Sequence, residues 1–388
     1  MRILHTSDWH IGKRLGRHDR MAEFHEVLGE VVSIADERAV DLVLVSGDVW
    51  DRPIPPMDAL TLGLETLVRL AEGRPVIAVA GNHDSPELFE ALAPLLRPRG
   101  VHLVGDIRRP DEGGLLGPDA LGVPAAVAGF PFLREGRVVD FMREAGEWYR
   151  AYADKVTAIT GAYNEALVAA AEADAVPILV AHFMVGGVTV DRAAPRGERE
   201  LHMGEAYTAT AQSIPAGPQY VAMGHIHAPQ QVPGAPVPAH YAGSLLALDF
   251  GEAGEHKRVV IVDAEPGRHA TTESVPLTTG RRLVRVTGNW PSIEARADEL
   301  ADAFLDLTVS TSGTDLTLAD RARETFPFVV KVRALRPEGE RRDRLVKGHR
   351  SWHDLYAEYY TREHAEPPPE ALLALLRDVL EEAVDAPA

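Results

Sequence analysis

Short apolar runs that stop on a polar motif recur along this chain, and they constrain its fold more than any other feature. Arg2–His5 stops at Thr6-Ser7-Asp8-Trp9-His10, and Leu42–Val45 at Ser46-Gly47-Asp48. Val76–Ala80 stops at Gly81-Asn82-His83-Asp84, Ile178–Ala181 at His182, and Tyr220–Met223 at Gly224-His225-Ile226-His227. Runs this short and this rich in Val, Ile and Leu read as buried strands. Stretches with helical periodicity separate the early ones: Met21–Arg38, Met57–Glu72 and Pro86–Leu96. Strand alternating with helix predicts an α/β architecture, with a largely parallel sheet covered by helices. Ligands of such sheets bind beyond the carboxyl ends of the strands. All five motifs fall at that end, so they are expected to converge in space.

The remainder of the chain divides less sharply. Val139–Ala173, rich in Ala and Glu, reads as one or two helices. His240–Ala242, Arg258–Val262 and Thr272–Val275 read as further strands, expected to form a second sheet packed on the first. A new unit begins near Gly280. Its pattern is a strand over Leu283–Val286, a helix over Ser292–Phe304 and a strand over Phe328–Arg333, which makes a small α/β domain. The basic stretch Arg336–Arg350 reads as a linker. Beyond it Trp352, Leu355, Tyr356, Tyr359 and Tyr360 fall at helical spacing, Pro367-Pro368-Pro369 breaks the chain, and Glu370–Ala383 carries a broad apolar stripe. The expected division is therefore 1–278, 279–337 and 338–388. Two amphipathic helices beyond a linker suit an external partner; packing on their own chain is the plainer alternative.

Composition narrows the chemistry. A chain of 388 residues is too long for one ordinary core, and 45% hydrophobic with 25% charged residues is a globular balance. There is no cysteine, which excludes disulfides, thiolate metal sites and a thiol nucleophile. The formal net charge of −18 argues against a generic nucleic-acid coat, which needs Lys and Arg against phosphates. Bound divalent cations would offset that charge locally. Basic residues also cluster, with Lys13, Arg14, Arg17 and Arg20 after the first motif, and a second run from Lys331 through Arg333, Arg336, Arg341, Arg342, Arg344 and Lys347 to Arg350. Taken singly, most of these read as solvated surface. No apolar run approaches the ~18 residues that span a bilayer. Met1–His5 enters a strand directly, without the parts of a signal peptide. A cytoplasmic protein with no membrane contact is expected.

The motifs supply Asp, Asn and His, which are donors for hard to borderline divalent cations, including a carboxylate able to bridge two. Manganese, iron and zinc all suit such a set, and manganese is the first expectation. Each motif alone is weak: Asp-x-His arises by chance, Gly-Asp is common in turns, and a His at a strand end is usually an ordinary polar group. Five together, in order and all at strand ends, point to one site. The remaining histidines, His5 and His18 among them, read as ordinary core or surface groups.

The order Asp8-x-His10, Gly47-Asp48-x-x-Asp51, Gly81-Asn82-His83-Asp84, His182, Gly224-His225-x-His227 resembles that of the calcineurin-like metallophosphoesterases. Ile3 to Gly12, Ser46 to Asp51 and Leu355-Tyr356-x-x-Tyr359-Tyr360 are similar to the nuclease subunits of that family. The likeness spans nearly the whole chain and is weakest between Asp106 and Ala175. It implies a two-sheet sandwich flanked by helices, with a small α/β capping domain and C-terminal helices. It implies one metal held by Asp8, His10, Asp48 and His227, and another held by Asp48, Asn82, His182 and His225, with Asp48 bridging. His83 would then be the acid near the leaving oxygen, and Asp51 would orient His83 or support the metal shell. The implied activity is that of a DNA exonuclease and hairpin or single-strand endonuclease in end processing, recombination, replication and repair. The implied partners are DNA, an SMC-like ATPase gripped by the C-terminal helices, and a second copy, joined through helices near Met57–Leu96 within a heterotetramer. Two other readings stay open. One is a small-substrate phosphomonoesterase or cyclic-nucleotide phosphodiesterase, against which the extra α/β unit and tail count. The other is a metal-free protein-binding scaffold, against which the complete ligand set counts.

Overall fold

A computed structural model describes residues 1–134, 152–172, 174–189, 208–313 and 315–335, with scattered residues between 356 and 373. Its strands are β1 (Arg2–Thr6), β2 (Leu42–Val45), β3 (Val76–Val79), β4 (Val101–Val104), β5 (Leu115–Leu116), β6 (Ala125–Phe130), β7 (Val176–His182), β8 (Met184–Val185), β9 (Thr208–Ala209), β10 (Tyr220–Gly224), β11 (Gln230–Gln231), β12 (Ala239–Tyr241), β13 (Arg258–Asp263), β14 (Thr271–Pro276), β15 (Arg282–Asn289), β16 (Ala303–Ser310) and β17 (Val329–Leu335). The helices that cover the sheets are α1 (Met21–Glu37), α2 (Met57–Leu70), α3 (Pro86–Leu96), α4 (Pro118–Leu121) and α5 (Tyr152–Glu172).

Two six-stranded sheets face each other. The first runs β14-β13-β1-β2-β3-β4, with β1 to β4 parallel and β13 and β14 antiparallel at one side. The second runs β11-β12-β10-β7-β6-β5, parallel in its middle and antiparallel at both edges. Alternation along each strand sorts the side chains. Ile3, Leu42, Leu44, Ile77 and Val79 point from the first sheet at Val127, Ile178, Val180 and Ala222 of the second. Leu4, Val43, Val45 and Ala78 point the other way, against Phe24, Val27, Val31, Leu67 and Phe89 of α1, α2 and α3. On the far side, Val156, Ile159, Tyr163 and Leu167 of α5 cover Ala128, Leu179, Ala181 and Val221. Burial on both faces is why these strands read as unbroken apolar runs. The family fold expected from the motifs is therefore present, as a helix–sheet–sheet–helix sandwich.

Two expectations need correction. Of the three late strands assigned to a second sheet, Arg258–Asp263 and Thr271–Pro276 instead extend the first, through β13 beside β1. The second sheet is built around the strands that carry His182 and His225. Periodicity fixes which face of a strand is buried but not which neighbour it pairs with. The helix expected over Ser292–Phe304 also stops early. Two short helical pieces, Trp290–Glu294 and Ala297–Leu300, precede β16, whose Ala303 and Phe304 are already extended. Phe304 packs against Leu15, Phe250 and Leu283, a tertiary demand that outweighs local propensity. Neither β4 nor β6 is among the strands expected from the sequence. Ala125–Phe130 is mostly Ala and Gly, and small residues fit where Gly129 backs onto Val104.

The strands β15, β16 and β17 form a third, parallel sheet with its own core of Val286, Ile293, Leu305, Leu307, Leu318 and Phe326. It docks on the main body beside the loop that follows the first motif. Arg20, grouped by sequence with exposed basic residues, is only 2% exposed. Its guanidinium donates to Ala247 O (2.6 Å) and to Glu23 (2.8 Å). Arg281 donates to Glu23 as well (3.3 Å) and lies 3.7 Å over the Phe328 ring. Among the described residues no helix is long and apolar enough to cross a membrane. The helical readings for 139–151, Trp352, Leu355 and Leu375–Ala383, and the linker Arg336–Arg350, lie outside the described residues.

One polar group sits deep between the sheets. His5 on β1 bonds Tyr220 Oη on β10 and Ser46 Oγ after β2, both at 2.8 Å. Burial, and secondarily the charge of nearby His240, pushes its imidazole down to about 3. An unfolded histidine titrates near 6.5. Between those values only the unfolded chain takes the proton, so stability present above pH 6.5 is lost as pH falls toward 3. The slope approaches about 1.4 kcal/mol per pH unit. Urea unfolding at pH 7 and pH 4 should show a smaller loss of midpoint in His5→Asn than in the wild type; equal losses would remove His5 as the cause.

Candidate metal centre

The site forms where the two sheets meet at the carboxyl ends of their parallel strands. Because β1 and β2 are parallel neighbours, the loops that follow them leave side by side. They stay paired: Asp8 N donates to Gly47 O (3.0 Å), His10 N to Asp48 O (2.9 Å) and Ile11 N to Val49 O (3.0 Å). Asp8, His10, Asp48 and His225 all have left-handed backbone, at φ 49°, 49°, 53° and 94°. Non-glycine residues avoid that region, at a cost of about 1–2 kcal/mol each, and such residues gather where a site over-determines them.

Carboxylates supply part of that determination. Asp84, fully buried, accepts from Val49 N (3.2 Å), Trp50 N (3.0 Å) and Gly81 N (2.9 Å), lashing the loop after β2 to the loop after β3. Asp48 Oδ1 accepts from His83 N at 2.8 Å. Asp8 accepts from His225 N through both oxygens, at 3.0 and 3.2 Å, and so joins the first sheet to the second. The approach is close enough to require glycine. A Cβ on Gly224 would overlap Ser46 O, and one on Gly47 would overlap the His182 ring.

The side-chain donors then gather in two groups that share one atom. Asp48 Oδ2 lies 3.4 Å from His10 Nε2 and 3.5 Å from His182 Nε2. On one side His10 Nε2 faces His227 Nε2 at 3.1 Å, with Asp8 close enough to complete a three-residue cluster. On the other, Asn82 Oδ1 lies 3.0 Å from His182 Nε2 and 2.9 Å from His225 Nδ1. All seven residues read from the sequence as ligands are thus brought together. His83 stands beside the first group, its ring 4.7 Å from that of His10 and edge-on to it, and it also clusters with His10 and Asp48. Asp51 reaches His83 through its backbone, where its carbonyl meets His83 Nδ1 at 2.9 Å. The Asp51 carboxylate turns instead to Lys13 (3.3 Å) and His10 Nδ1 (3.5 Å).

Electrostatics match this crowding. Burial alone would raise the Asp48 carboxyl, but the charge and hydrogen bond of His182, with His10 and His83, hold it well below the usual carboxylate range. Burial likewise opposes charge on His182, yet Asp48 and Asp8 push it up to about 9. Burial lowers His10. Asp84 is raised to about 6, by burial first and by the negative charge of Asp48 second. Two imidazole nitrogens that face each other at 3.1 Å need a hydrogen or a cation between them, and a divalent cation can fill that role. The donor set is oxygen and imidazole without thiolate, which suits manganese, iron or zinc.

Several neighbours carry no signal in the sequence. Ser46 O holds His182 Nδ1 at 2.7 Å, and Glu252 Oε1 holds His227 Nδ1 at 2.9 Å. The Arg134 guanidinium donates to Asn82 O (3.0 Å) and Asp84 O (2.5 Å), on either side of His83. Phe132 stacks on the His225 ring, with centroids 5.8 Å apart. Each of these is defined by a partner far away in the chain, which no local pattern announces. Of the basic residues after the first motif, Arg14 pairs at the surface with Asp19 (3.4 Å), while Lys13 alone reaches the site.

Comparison with known proteins agrees with the geometry. Residues 1–229 match the family described as calcineurin-like phosphoesterase. The chain is 34% identical over 380 residues to the nuclease SbcCD D subunit of Bacillus subtilis (strain 168), covering 94% of this chain and 93% of that one. It is 31% identical to the protein of the same name from Rhodobacter capsulatus, covering 88% and 82%, and 28% identical to that of Escherichia coli (strain K12), covering 89% and 87%. With the fold, the buried Asp and His clusters and these likenesses in agreement, the chain belongs to the calcineurin-like phosphoesterases, in the group of nuclease SbcCD D subunits, and is a metal-dependent hydrolase of phosphodiesters.

Proposed function

We propose that this chain is a two-metal DNA nuclease that works with an SbcC-like ATPase of the SMC class. The observation that carries the reading is the pair of donor groups that share Asp48 Oδ2, with His83 alongside. Asp8, His10, Asp48 and His227 would hold one divalent cation, and Asp48, Asn82, His182 and His225 the other, with manganese preferred. Two such cations offset the charge of a phosphodiester and lower the pKa of a water, so that hydroxide is available at neutral pH.

The protein's own groups do the rest. Asn82 is neutral, so it leaves the site more positive toward an anionic strand than an Asp there would. His83 is fixed from two sides, by the Asp48 carboxylate on its N–H and by the Asp51 carbonyl on Nδ1. With Nδ1–H donating to that carbonyl, Nε2 of the protonated ring would be the nitrogen that gives its proton to the departing oxygen. Arg134 holds the carbonyls on either side of His83 and steadies the loop. Lys13, 22% exposed and paired with Asp51, adds positive charge where the strand must pass.

The division into a nuclease domain (1–278), a capping domain (279–337) and a C-terminal partner-binding segment (338–388) goes with this reading. So does homodimerisation through α2 and α3, where Met57 and Leu95 are 74% and 68% exposed. A dimer with two ATPase subunits makes a heterotetramer, in a cytoplasmic setting. Double-strand exonuclease and hairpin or single-strand endonuclease activity in DNA end processing are the activities assigned.

Two measurements test this. End-labelled duplex and hairpin DNA, incubated with manganese, should be cut by the wild type, while Asp48→Ala loses at least about 100-fold in rate, since one carboxylate serves both donor groups. Cleavage of a small diester with no cleavage of DNA, the ATPase being present, would assign a small-molecule phosphodiesterase instead. Truncation at Gly348 should abolish ATPase binding in a pull-down and spare manganese-dependent cleavage. Undiminished ATPase binding by the truncated chain would place the partner surface elsewhere.

A further inference from the structure

Two imidazoles of the site have a carboxylate behind them, His10 with Asp51 at 3.5 Å and His227 with a closer one. The Nδ1 of His227 meets Glu252 Oε1 at 2.9 Å. Behind His182 there is only a backbone carbonyl, Ser46 O. Glu252 is 4% exposed, at the end of a tight turn over Phe250–Glu252. Its second oxygen accepts from Lys257 Nζ (2.6 Å), Ser244 Oγ (3.1 Å) and Leu248 N (3.1 Å). Lys257, 7% exposed, also donates to His227 O at 3.1 Å and to Glu255 at 2.7 Å. The ammonium therefore grips the carboxylate behind the imidazole and the backbone of the same histidine. Gly243 opens this loop; a Cβ there would overlap His227 O.

A buried ion pair is a weak source of stability, because desolvating both charges offsets most of their attraction. This one lies one residue away from the candidate cation site. Its chemistry fits a task there. An ionised carboxylate only accepts, so the proton between it and His227 resides on Nδ1. The Nε2 lone pair is then turned outward, toward His10 Nε2 at 3.1 Å. A carboxylate behind a ligating imidazole fixes its tautomer and ring orientation and raises its basicity as a donor. Lys257 keeps Glu252 ionised and in place.

We propose that Glu252, held by Lys257, is a positioning residue for His227 and sets the affinity of one of the two cation positions, the one shared by His10 and His227, without setting that of the other. The proposal rests on the two-metal reading given above. It makes the two positions unequal: one is backed at His227 by a buried charge, the other at His182 by a backbone carbonyl.

Calorimetric titration of the metal-stripped full chain with manganese tests it, with thermal unfolding measured alongside. The wild type should bind two manganese ions. In Glu252→Gln, which keeps the shape and an acceptor oxygen but not the charge, one ion should bind about 10- to 100-fold more weakly and the other as before. Glu252→Asp, which keeps the charge on a shorter arm, should restore part of the loss. Cleavage by Glu252→Gln should recover at high manganese concentration, because the chemistry itself is intact. Wild-type affinity at both positions in Glu252→Gln and Glu252→Asp would overturn the inference, and so would equal weakening of both positions. If Glu252→Gln does not fold, the Glu252→Asp titration decides alone on the same criterion. A wild type that binds no manganese would overturn the two-metal reading itself, a result distinct from any of these.

Discussion

Buried carboxylates that accept backbone N–H groups organise this site before any cation enters it. Asp8 takes the His225 amide, Asp48 the His83 amide, and Asp84 the amides of Val49, Trp50 and Gly81. Each would be costly to bury alone. Together they turn the ends of three strands from the first sheet and one from the second into a single rigid rim. The left-handed backbone at Asp8, His10, Asp48 and His225 persists because these bonds leave the loops no alternative. Two of the three carboxylates also face the donor groups, so the side chains that shape the loops are the side chains that would bind the metals. Asp84 has the structural task alone, and its raised pKa reflects burial next to Asp48.

Much of this was legible in the sequence, for a physical reason. A strand end and the loop after it are contiguous, so Asp8-x-His10, Gly81-Asn82-His83-Asp84 and Gly224-His225-x-His227 each appear as a word. Parallel topology then guarantees that the words meet. What was not legible depends on distant partners. Glu252 and Lys257 sit behind His227 only because β12 and β13 return the chain there. Arg20 reads like its exposed neighbours but is swallowed between Glu23, Ala247 and the Phe304 ring. The strand β6 is hidden by its alanines, and the sheet to which β13 and β14 belong cannot be told from their own pattern.

The third sheet reaches toward the site through a short stretch of chain. Between His10 and α1 the loop carries Leu15 into a cluster with Phe250, Leu283 and Phe304, and His18 Nε2 meets Val329 O at 3.0 Å. Gly16 is positive in φ, and a Cβ there would press on Val330. The segment that begins at a candidate ligand therefore ends packed against β16 and β17. Arg281, shared between Glu23, Asp302 and the Phe328 ring, closes the same junction from the other side. The extra sheet is thus built onto the active-site loop rather than hung from the chain end.

The closest donor pairs in the site span the two walls of the sandwich: His10 with His227, Asn82 with His182, Asn82 with His225. The site works like the jaws of a caliper, and its opening is set by how the two sheets lie on each other along their whole length. Small changes of volume in the shared core, at Ile178 or Leu44, therefore act on the chemistry without approaching it. Selection on the activity is then also selection on the thickness of the sandwich.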